Sequence, residues 1–366
     1  MEFYQASAWN WVFISWKSAW TRLPSFLGDE FVLEFIRFED TMLDAAAELL
    51  CENYSSLRAR GLALLPKSFE KLDNARKALK RIITQSKAMG LAAVEKGQLR
   101  AFLIGTPAVN PIRGRHVWIY PAGLGIDPTC SLELLRELYA RLGEVWVRNG
   151  FFDHFILALN NPKWLEPWLR LGFAYEQAHA LLDLDQFPFD SLSPNPEITV
   201  RRATEADRET VQSFYNIIPR QHAAPPVWGV ALPEDLPEIY EGYGELLDEE
   251  GTTLWLAYWR GRPVGLHAYR TLLDGVDFLA PAGALRLTVA STVPEARGQG
   301  VSSTLLGVAL QDAYARGYRV CETDWRITNL LSSRHWEGKG FKEVAKRLVR
   351  KVDQRIVWAD GYNELP

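Results

Sequence analysis

A glycine-rich loop between a predicted strand and a predicted helix is the part of this sequence best suited to chemistry. Residues 292–303 have the sequence TVPEARGQGVSS, with a strand ending near Val293 and a helix beginning near Val301. The glycines at 298 and 300 allow a ligand to approach the backbone closely. N–H groups of the loop and of the first helical turn point outward, where the helix dipole favours anions. The segment is therefore a candidate cradle for phosphate or pyrophosphate.

Two general interpretations of this loop come first. The first is a plain glycine turn between a strand and a helix. The second is a dinucleotide-binding loop, because Gly298, Gly300 and Ser303 resemble that fingerprint and Glu322 lies about where its ribose-binding acid falls. Against the second, residues 294–297 separate the strand from the first glycine, and the flanking segments are predicted hairpins rather than repeated βα units.

The third interpretation is a resemblance to the GNAT superfamily of N-acetyltransferases. Residues 297–302, RGQGVS, are similar to the family's Gln/Arg-x-x-Gly-x-Gly/Ala motif, and residues 292–295 are similar to its strand-to-loop segment. Downstream, Asn329 followed by Gly340-Phe341 resembles the family's ending of Asn, helix, Gly-Phe and strand. Order and spacing agree over residues 197–353.

The resemblance implies an acyl-CoA-dependent N-acyltransferase that uses acetyl-CoA or another acyl-CoA. In the family a splayed strand grips the pantetheine arm, loop amides hold the pyrophosphate, and an Asn of the next helix reaches the cofactor. An amine then attacks the thioester directly, usually with no covalent enzyme intermediate. The residues expected to contact the coenzyme are Thr292, Val293, Arg297, Gly298, Gln299, Gly300, Val301, Ser302 and Asn329.

The acceptor amine must lose a proton, and a carboxylate near the strand ends is suited to accept it. Glu322 and Asp324 close the predicted strand 318–324, and with a period of two residues they point to the same face. Both are candidate bases, and capping a turn is the alternative role for either of them.

Two positions depart from the family pattern. Ser302 stands at the third glycine position, where its small side chain fits and its hydroxyl is a possible donor to phosphate. Trp336 stands seven residues after Asn329, where many members have a Tyr that protonates the leaving thiolate. An indole N–H is not a practical acid, and we expect the neighbouring His335 to point elsewhere on its helix.

The chain is a duplication, because five residues of its first half recur in the second half with one offset of 168 residues. A period this long indicates a repeated domain, since solenoid repeats run about 20–50 residues. The five are Asn161, Trp168, Gly172, Phe173 and Asp185, which correspond to Asn329, Trp336, Gly340, Phe341 and Asp353.

The repeat and the linker predict an α+β fold of two tandem GNAT-like domains with mostly antiparallel sheets. The expected divisions are a Trp-rich arm at 1–30, a first domain at 31–185, a proline-rich linker at 186–196 and a second domain at 197–366. Hairpins are predicted over 91–103 and 253–269, and a strand, a helix and a strand over 285–293, 301–316 and 318–324.

The first domain is expected to lack the cofactor loop. By the same offset, Thr129, Cys130, Ser131 and Leu132 stand where Arg297, Gly298, Gln299 and Gly300 stand in the second domain. Both glycines are missing, so we expect a mainly structural role: closing the acceptor cleft and supplying buried area, with an independent binding role as the alternative.

The composition argues against several other classes of protein. The chain has 366 residues and a net charge of −4, which disfavours a general nucleic-acid-binding surface. Its three scattered cysteines indicate neither a metal cluster nor a disulfide framework and favour the cytoplasm. The apolar stretch of the arm is too short for a membrane span. The acceptor is expected to be a small-molecule or protein amine; the rival hypothesis is a non-catalytic acyl-CoA-binding or scaffolding protein.

Overall fold

The computed structural model describes residues 33–189, 195–272 and 278–359. The predicted arm at 1–30 and the middle of the predicted linker, residues 190–194, lie outside these ranges. None of the helices within the described ranges is both long enough and apolar enough to cross a bilayer.

Among the residues described, the N-terminal half begins with one strand, two helices and four strands, and ends with two helices that alternate with two strands. In its third helix, Leu135, Leu138, Leu142 and Trp146 recur on one buried face. The elements are β1 Glu34–Arg37, α1 Leu43–Ala59, α2 Leu72–Ile83, β2 Met89–Glu95, β3 Gln98–Asn110, β4 Gly114–Ile119, β5 Leu124–Ile126, α3 Glu133–Arg148, β6 Asp153–Leu159, α4 Pro162–Arg170 and β7 Ala174–Asp183.

The C-terminal half repeats this order, with three short helices before its hairpin. The predicted strand 318–324 is displaced by two residues, so that Arg326 rather than Asp324 ends it. The elements are β8 Ile198–Arg202, α5 Arg208–Gln212, α6 Ile217–Ala223, α7 Leu236–Glu245, β9 Thr252–Trp259, β10 Arg262–Thr271, β11 Leu285–Thr292, α8 Val301–Ala315, β12 Val320–Arg326, α9 Leu330–Gly338 and β13 Lys342–Lys351.

Both predicted hairpins are confirmed, and each turns at a basic residue followed by glycine. Lys96 and Gly97 have φ of 51° and 80°, and Arg260 and Gly261 have φ of 52° and 74°. Two successive positive φ angles are typical of the type I′ turn, whose twist matches that of the flanking strands.

The strands of the two halves form one continuous sheet. Its order is β1-β2-β3-β4-β6-β13-β7-β12-β11-β10-β9-β8, with β5 paired to β3. The last strand of the chain, β13, lies between β6 and β7 of the N-terminal half, and β7 pairs in turn with β12 of the C-terminal half. The α+β fold with a mostly antiparallel sheet is confirmed. The two sheets expected from the sequence are joined into one, because the halves exchange their last strands.

Packing on β12 separates the apolar interior of the C-terminal half from a polar face. Cys321 and Trp325 point toward α8 and belong to its buried apolar cluster. Glu322 and Asp324 point to the opposite face, as the period of two residues predicts. β7 pairs with β12 in the sheet, so the exchange of strands brings side chains of the N-terminal half beside the candidate carboxylates.

Candidate functional site

A cleft opens where β11 and β12 separate. The two parallel strands are paired at two positions, Leu285 with Cys321 and Arg286 with Glu322. Beyond these residues, both strands line a cleft of about 540 Å³. The equivalent strands of the N-terminal half, β4 and β6, are paired at four positions. The splayed strand expected from the sequence is therefore present in the C-terminal half.

The glycine loop forms one wall of this cleft. Gly298 and Gly300 have φ of 78° and 81°, a left-handed conformation that glycine adopts without strain. Gly300 is the N-cap of α8, and the helical ladder begins with the bond from the Thr304 amide to the Gly300 carbonyl, 2.9 Å long. The amides before Thr304 have no carbonyl partner within the helix, which makes this end of α8 suited to an anion.

Side chains from outside the loop hold it in place. Asn195 donates from Nδ2 to the carbonyl of Gln299, 2.9 Å away. Arg297 donates from Nη1 to Oε1 of Gln221 on α6, also 2.9 Å away. The short helix α6 is thereby fixed against the loop, and it forms a second wall of the cleft.

The structure brings most of the sequence-predicted coenzyme contacts to this cleft. Val293 and Gln299 belong to the same loop but are not among the residues that line the cleft. Asn329 lines it and also caps α9, because its Oδ1 accepts from the Ser332 amide at 3.4 Å. The predicted contacts that line the cleft are Thr292, Arg297, Gly298, Gly300, Val301, Ser302 and Asn329.

Ser302 lies between two histidines. Its Oγ is 3.1 Å from Nε2 of His267 and 3.0 Å from Nε2 of His335, and Nδ1 of His267 is 3.1 Å from the Tyr269 hydroxyl. With both rings neutral, a consistent assignment has Tyr269 donating to His267, His267 donating to Ser302, and Ser302 donating to His335. The Ser302 hydroxyl is therefore occupied by the two histidines, and at this position only the backbone amide remains as a candidate donor to phosphate.

Burial keeps both histidines uncharged. It lowers the pKa of His267 to about 3, with a smaller effect of His335, and lowers the pKa of His335 to about 4, with a smaller effect of the Lys339 charge. The expectation that His335 points away from the site is wrong, since His335 and Trp336 both line the cleft. Neighbouring residues on a helix point in different directions, but both of these side chains line the cleft.

Trp336 fills the position where the resemblance placed a Tyr. It is 6 % exposed and packs edge-on to Phe341, with ring centroids 5.6 Å apart. Trp168 packs on Phe173 in the same way in the N-terminal half, at 5.7 Å. The two pairs occupy equivalent places in the repeat, so the Trp serves as a core residue in both halves.

The two candidate bases lie at different depths. Asp324 lines the cleft, where it accepts hydrogen bonds from Gln177 of β7 and from Arg286, the latter at 3.2 Å. Glu322 is 1 % exposed and lies behind it, with Oε1 3.8 Å from Nδ1 of His179. Asp324 is therefore the carboxylate that a bound acceptor can reach directly.

His222 is a cleft residue that no sequence motif singles out. It lies on α6 and lines the cleft with Asp324 and Arg326. Burial lowers its pKa, the Arg326 charge lowers it further, and the Asp324 charge acts in the opposite direction. A lone His before a Pro-Pro pair carries no motif, so only the fold could show that it faces the strand ends.

The corresponding region of the N-terminal half is filled. Helix α1 places Asn53 against β5, where its side chain bonds both the amide and the carbonyl of Ile126, at 3.0 and 2.8 Å. The cavity between α1, Trp164 and Trp168 measures about 10 Å³. This is about the space of a single water molecule, too small for a coenzyme.

Solved structures resemble this chain along most of its length. A GCN5-related N-acetyltransferase from Sphaerobacter thermophilus matches with a TM-score of 0.57 and 14% identity, over 87% of this chain and 95% of the other. A glucosamine N-acetyltransferase region of a fungal multi-domain GH3 beta-N-acetylglucosaminidase matches at 0.54 and 15% identity, over 88% of this chain and 38% of the other. The chain therefore has the GNAT fold.

The fold is present twice. A tandem GNAT protein of the clavulanic acid biosynthesis pathway matches with a TM-score of 0.52 and 13% identity, over 87% of this chain and 98% of the other. The prediction of two GNAT-like domains in tandem is thus confirmed. No family model and no curated protein matches the sequence itself.

Proposed function

We propose that this protein is an acyl-CoA-dependent N-acyltransferase, with acetyl-CoA as the first acyl donor to test and with the C-terminal half as the catalytic one. The observation that carries the proposal is the cleft of about 540 Å³ between β11 and β12, which the glycine loop closes at one end. A splayed pair of strands and an anion-binding helix terminus together suit a long ligand that has a pyrophosphate at one end.

The loop residues fit that ligand. Gly298 and Gly300 leave this part of the cleft wall without side chains. A Cβ added at 298 would have no protein atom within 4 Å. The amides of Arg297 and Gln299 already donate to the carbonyls of Pro294 and Ala296. We therefore assign the pyrophosphate to the other amides from Gly298 to Ser302, and the pantetheine arm to the β11 edge at Thr292. The bound thioester supplies the activated acyl group, and the chain's own residues must orient the amine and remove its proton.

Proton removal falls to the side chains at the end of β12. We propose that Asp324 holds the acceptor amine and that His222, whose lowered pKa leaves it neutral near pH 7, accepts the proton. Glu322 is then a positioning residue, since it lies within 4.0 Å of Arg286, the partner of Asp324. This division keeps both sequence-predicted carboxylates in the site and gives them different tasks.

Release of the thiolate requires no tyrosine in this scheme. The indole of Trp336 has no proton to give at neutral pH. A thiol has a pKa near 8.5, so its anion is a weak base and leaves without a matched acid.

The N-terminal half completes the cleft. Gln177 of β7 reaches it through the exchange of strands and bonds Asp324. We propose domains at 31–185 and 197–366 joined by the linker 186–196, with only the second carrying out chemistry. A cytoplasmic location accords with the three free cysteines, Cys51, Cys130 and Cys321.

The second candidate function is acyl-CoA binding or scaffolding without turnover, which the Trp at position 336 favours. The test is release of free CoA from acetyl-CoA across a panel of amines by the wild type, Glu322→Gln and Asp324→Asn. Turnover that falls most in Asp324→Asn supports the enzyme and the division of tasks above. Binding of acetyl-CoA with no CoA release for any amine supports the scaffold.

A further inference from the structure

The charges at the acceptor end of the cleft are arranged in two opposite groups. Among the described residues that line the cleft, the fully charged ones are Arg297 of the loop and Asp324 and Arg326 of β12. Asp324 and Arg326 are two residues apart, so they share one face of the strand and lie about 7 Å apart along it. Both are partly exposed, at 25 % and 29 % of their side chains.

The group around Asp324 has an excess of negative charge. Arg286 lies 3.2 Å from Asp324 and 4.0 Å from Glu322, so two carboxylates share this guanidinium. Gln177 adds a neutral donor to Asp324. An ammonium group at the Asp324 carboxylate would be stabilised by this excess.

The group around Arg326 has the opposite excess. Arg326 and Arg347 both pair with Glu176, the latter at 2.5 Å. Although burial raises the pKa of Glu176, the charges of Arg347 and Arg326 hold it below its usual value, so Glu176 is an anion. Two guanidinium groups therefore share one carboxylate. Arg347 is buried beside Trp118, and Arg326 is the member of the pair that lines the cleft.

Resting on the proposed acyltransfer, we infer that the acceptor carries a carboxylate beside its reacting amine, as an amino acid does. The amine sits at Asp324 and the carboxylate at Arg326, whose fork of N–H donors matches carboxylate geometry. Polyamines and polycationic sugars are poor fits, because an extra positive charge would meet Arg326. His222 lines the cleft with both side chains and is in place to take the proton of the amine held at Asp324.

The test compares amines in matched pairs that differ by one carboxylate, lysine with cadaverine and tyrosine with tyramine, at saturating acetyl-CoA. A third pair, phosphoethanolamine with ethylamine, separates a carboxylate requirement from a general anion requirement. We expect kcat/KM for CoA release to be at least about tenfold higher for the carboxylate-bearing member, since one charge-assisted bidentate contact discriminates by at least that factor.

The variants assign the preference to one side chain. Arg326→Gln should lower kcat/KM about tenfold more for the amino acid than for its decarboxylated partner, because an altered pKa of His222 would act on both substrates alike. Arg326→Lys should recover part of the loss. Arg347 still pairs with Glu176 in Arg326→Gln, so that carboxylate is not left without a cation. Arg270 lies on β10 and pairs with Glu249. Arg270→Gln breaks that ion pair, is the matched control and should keep the preference.

Binding of acetyl-CoA, measured on the same samples, separates the two levels of the proposal. If acetyl-CoA does not bind, the acyltransferase proposal fails and this inference fails with it. If acetyl-CoA binds but cadaverine or tyramine is the better acceptor of its pair, or no pair reacts, the inference alone is overturned. An equally large advantage of phosphoethanolamine over ethylamine would overturn the carboxylate requirement in favour of a general anion requirement. The inference is equally overturned if Arg326→Gln keeps the full preference for the amino acid.

Discussion

Replacing Ser302 by Ala tests whether the chain of hydrogen bonds behind the glycine loop stabilises the fold. The change removes the hydroxyl between His267 and His335 and leaves the loop amides in place. His267 is completely buried, so its Nε2 loses a partner that water does not replace, at a cost of about 1–3 kcal/mol. His335 lines the cleft and can be hydrated. The higher helix propensity of Ala offsets about 0.5 kcal/mol of this loss in the free energy of unfolding.

The expected result is a loss of about 1–2 kcal/mol in the free energy of unfolding, measured by urea denaturation. The affinity for acetyl-CoA should change by much less than tenfold, because the amide of residue 302 remains. Ser303→Ala, one residue further along α8 and outside this chain of bonds, is the control and should cost less than about 0.5 kcal/mol. Equal stability of the two variants would refute the structural role. A tenfold loss of acetyl-CoA affinity at unchanged stability would show instead that the hydroxyl contacts the ligand.

Three further predictions follow from buried histidines, glycines and strand exchange. Burial lowers the pKa of His154 and His335 to about 4 and of His267 to about 3, so the unfolded chain binds more protons below pH 6.5. The neutral histidines contribute fully to the free energy of unfolding above that pH, and this contribution is lost as the pH falls through their folded pKa values. Urea denaturation should therefore give a lower free energy of unfolding at about pH 5 than at about pH 7, and equal free energies would contradict the prediction. Gly298→Ala and Gly261→Ala introduce a similar strain of about 1–2 kcal/mol at φ of 78° and 74°, but only Gly298→Ala should weaken acetyl-CoA binding in calorimetry. Residues 197–366 expressed alone should show no cooperative thermal unfolding, because β13 loses both of its partner strands; a cooperative transition would count against the exchange.

Much of the C-terminal half could be predicted from local patterns. The turn at Arg260-Gly261, the helix from Val301 and the glycine at 317 after it all follow from residue types that dictate backbone geometry. The constant offset of 168 residues also made the duplication visible in the sequence. These features depend on neighbours in the chain, which a single sequence records.

The exchange of strands could not be predicted in this way. β7 and β13 have equivalent patterns, and alternation of side chains says which face a strand buries but not which strand it joins. The contribution of Gln177 to the cleft follows only from that pairing. The position of Arg326 was missed because the strand was expected to end at Asp324. His335 was misplaced because helical spacing gives the direction of a side chain relative to its own helix, not the position of α9 relative to the cleft.

The central claim, that the glycine loop holds the pyrophosphate of an acyl-CoA, is tested most directly by calorimetric titration of acetyl-CoA into three proteins. These are the wild type, Gly300→Glu and Gly261→Glu, whose glycines share a left-handed φ near 80°. A Cβ at 300 would meet only Asn195 at 3.9 Å, so the substitution causes no clash at Cβ and brings a negative charge to the anion site. The account predicts micromolar binding by the wild type and Gly261→Glu, and its loss in Gly300→Glu. Absence of binding by the wild type, or equal affinity in Gly300→Glu, would contradict it.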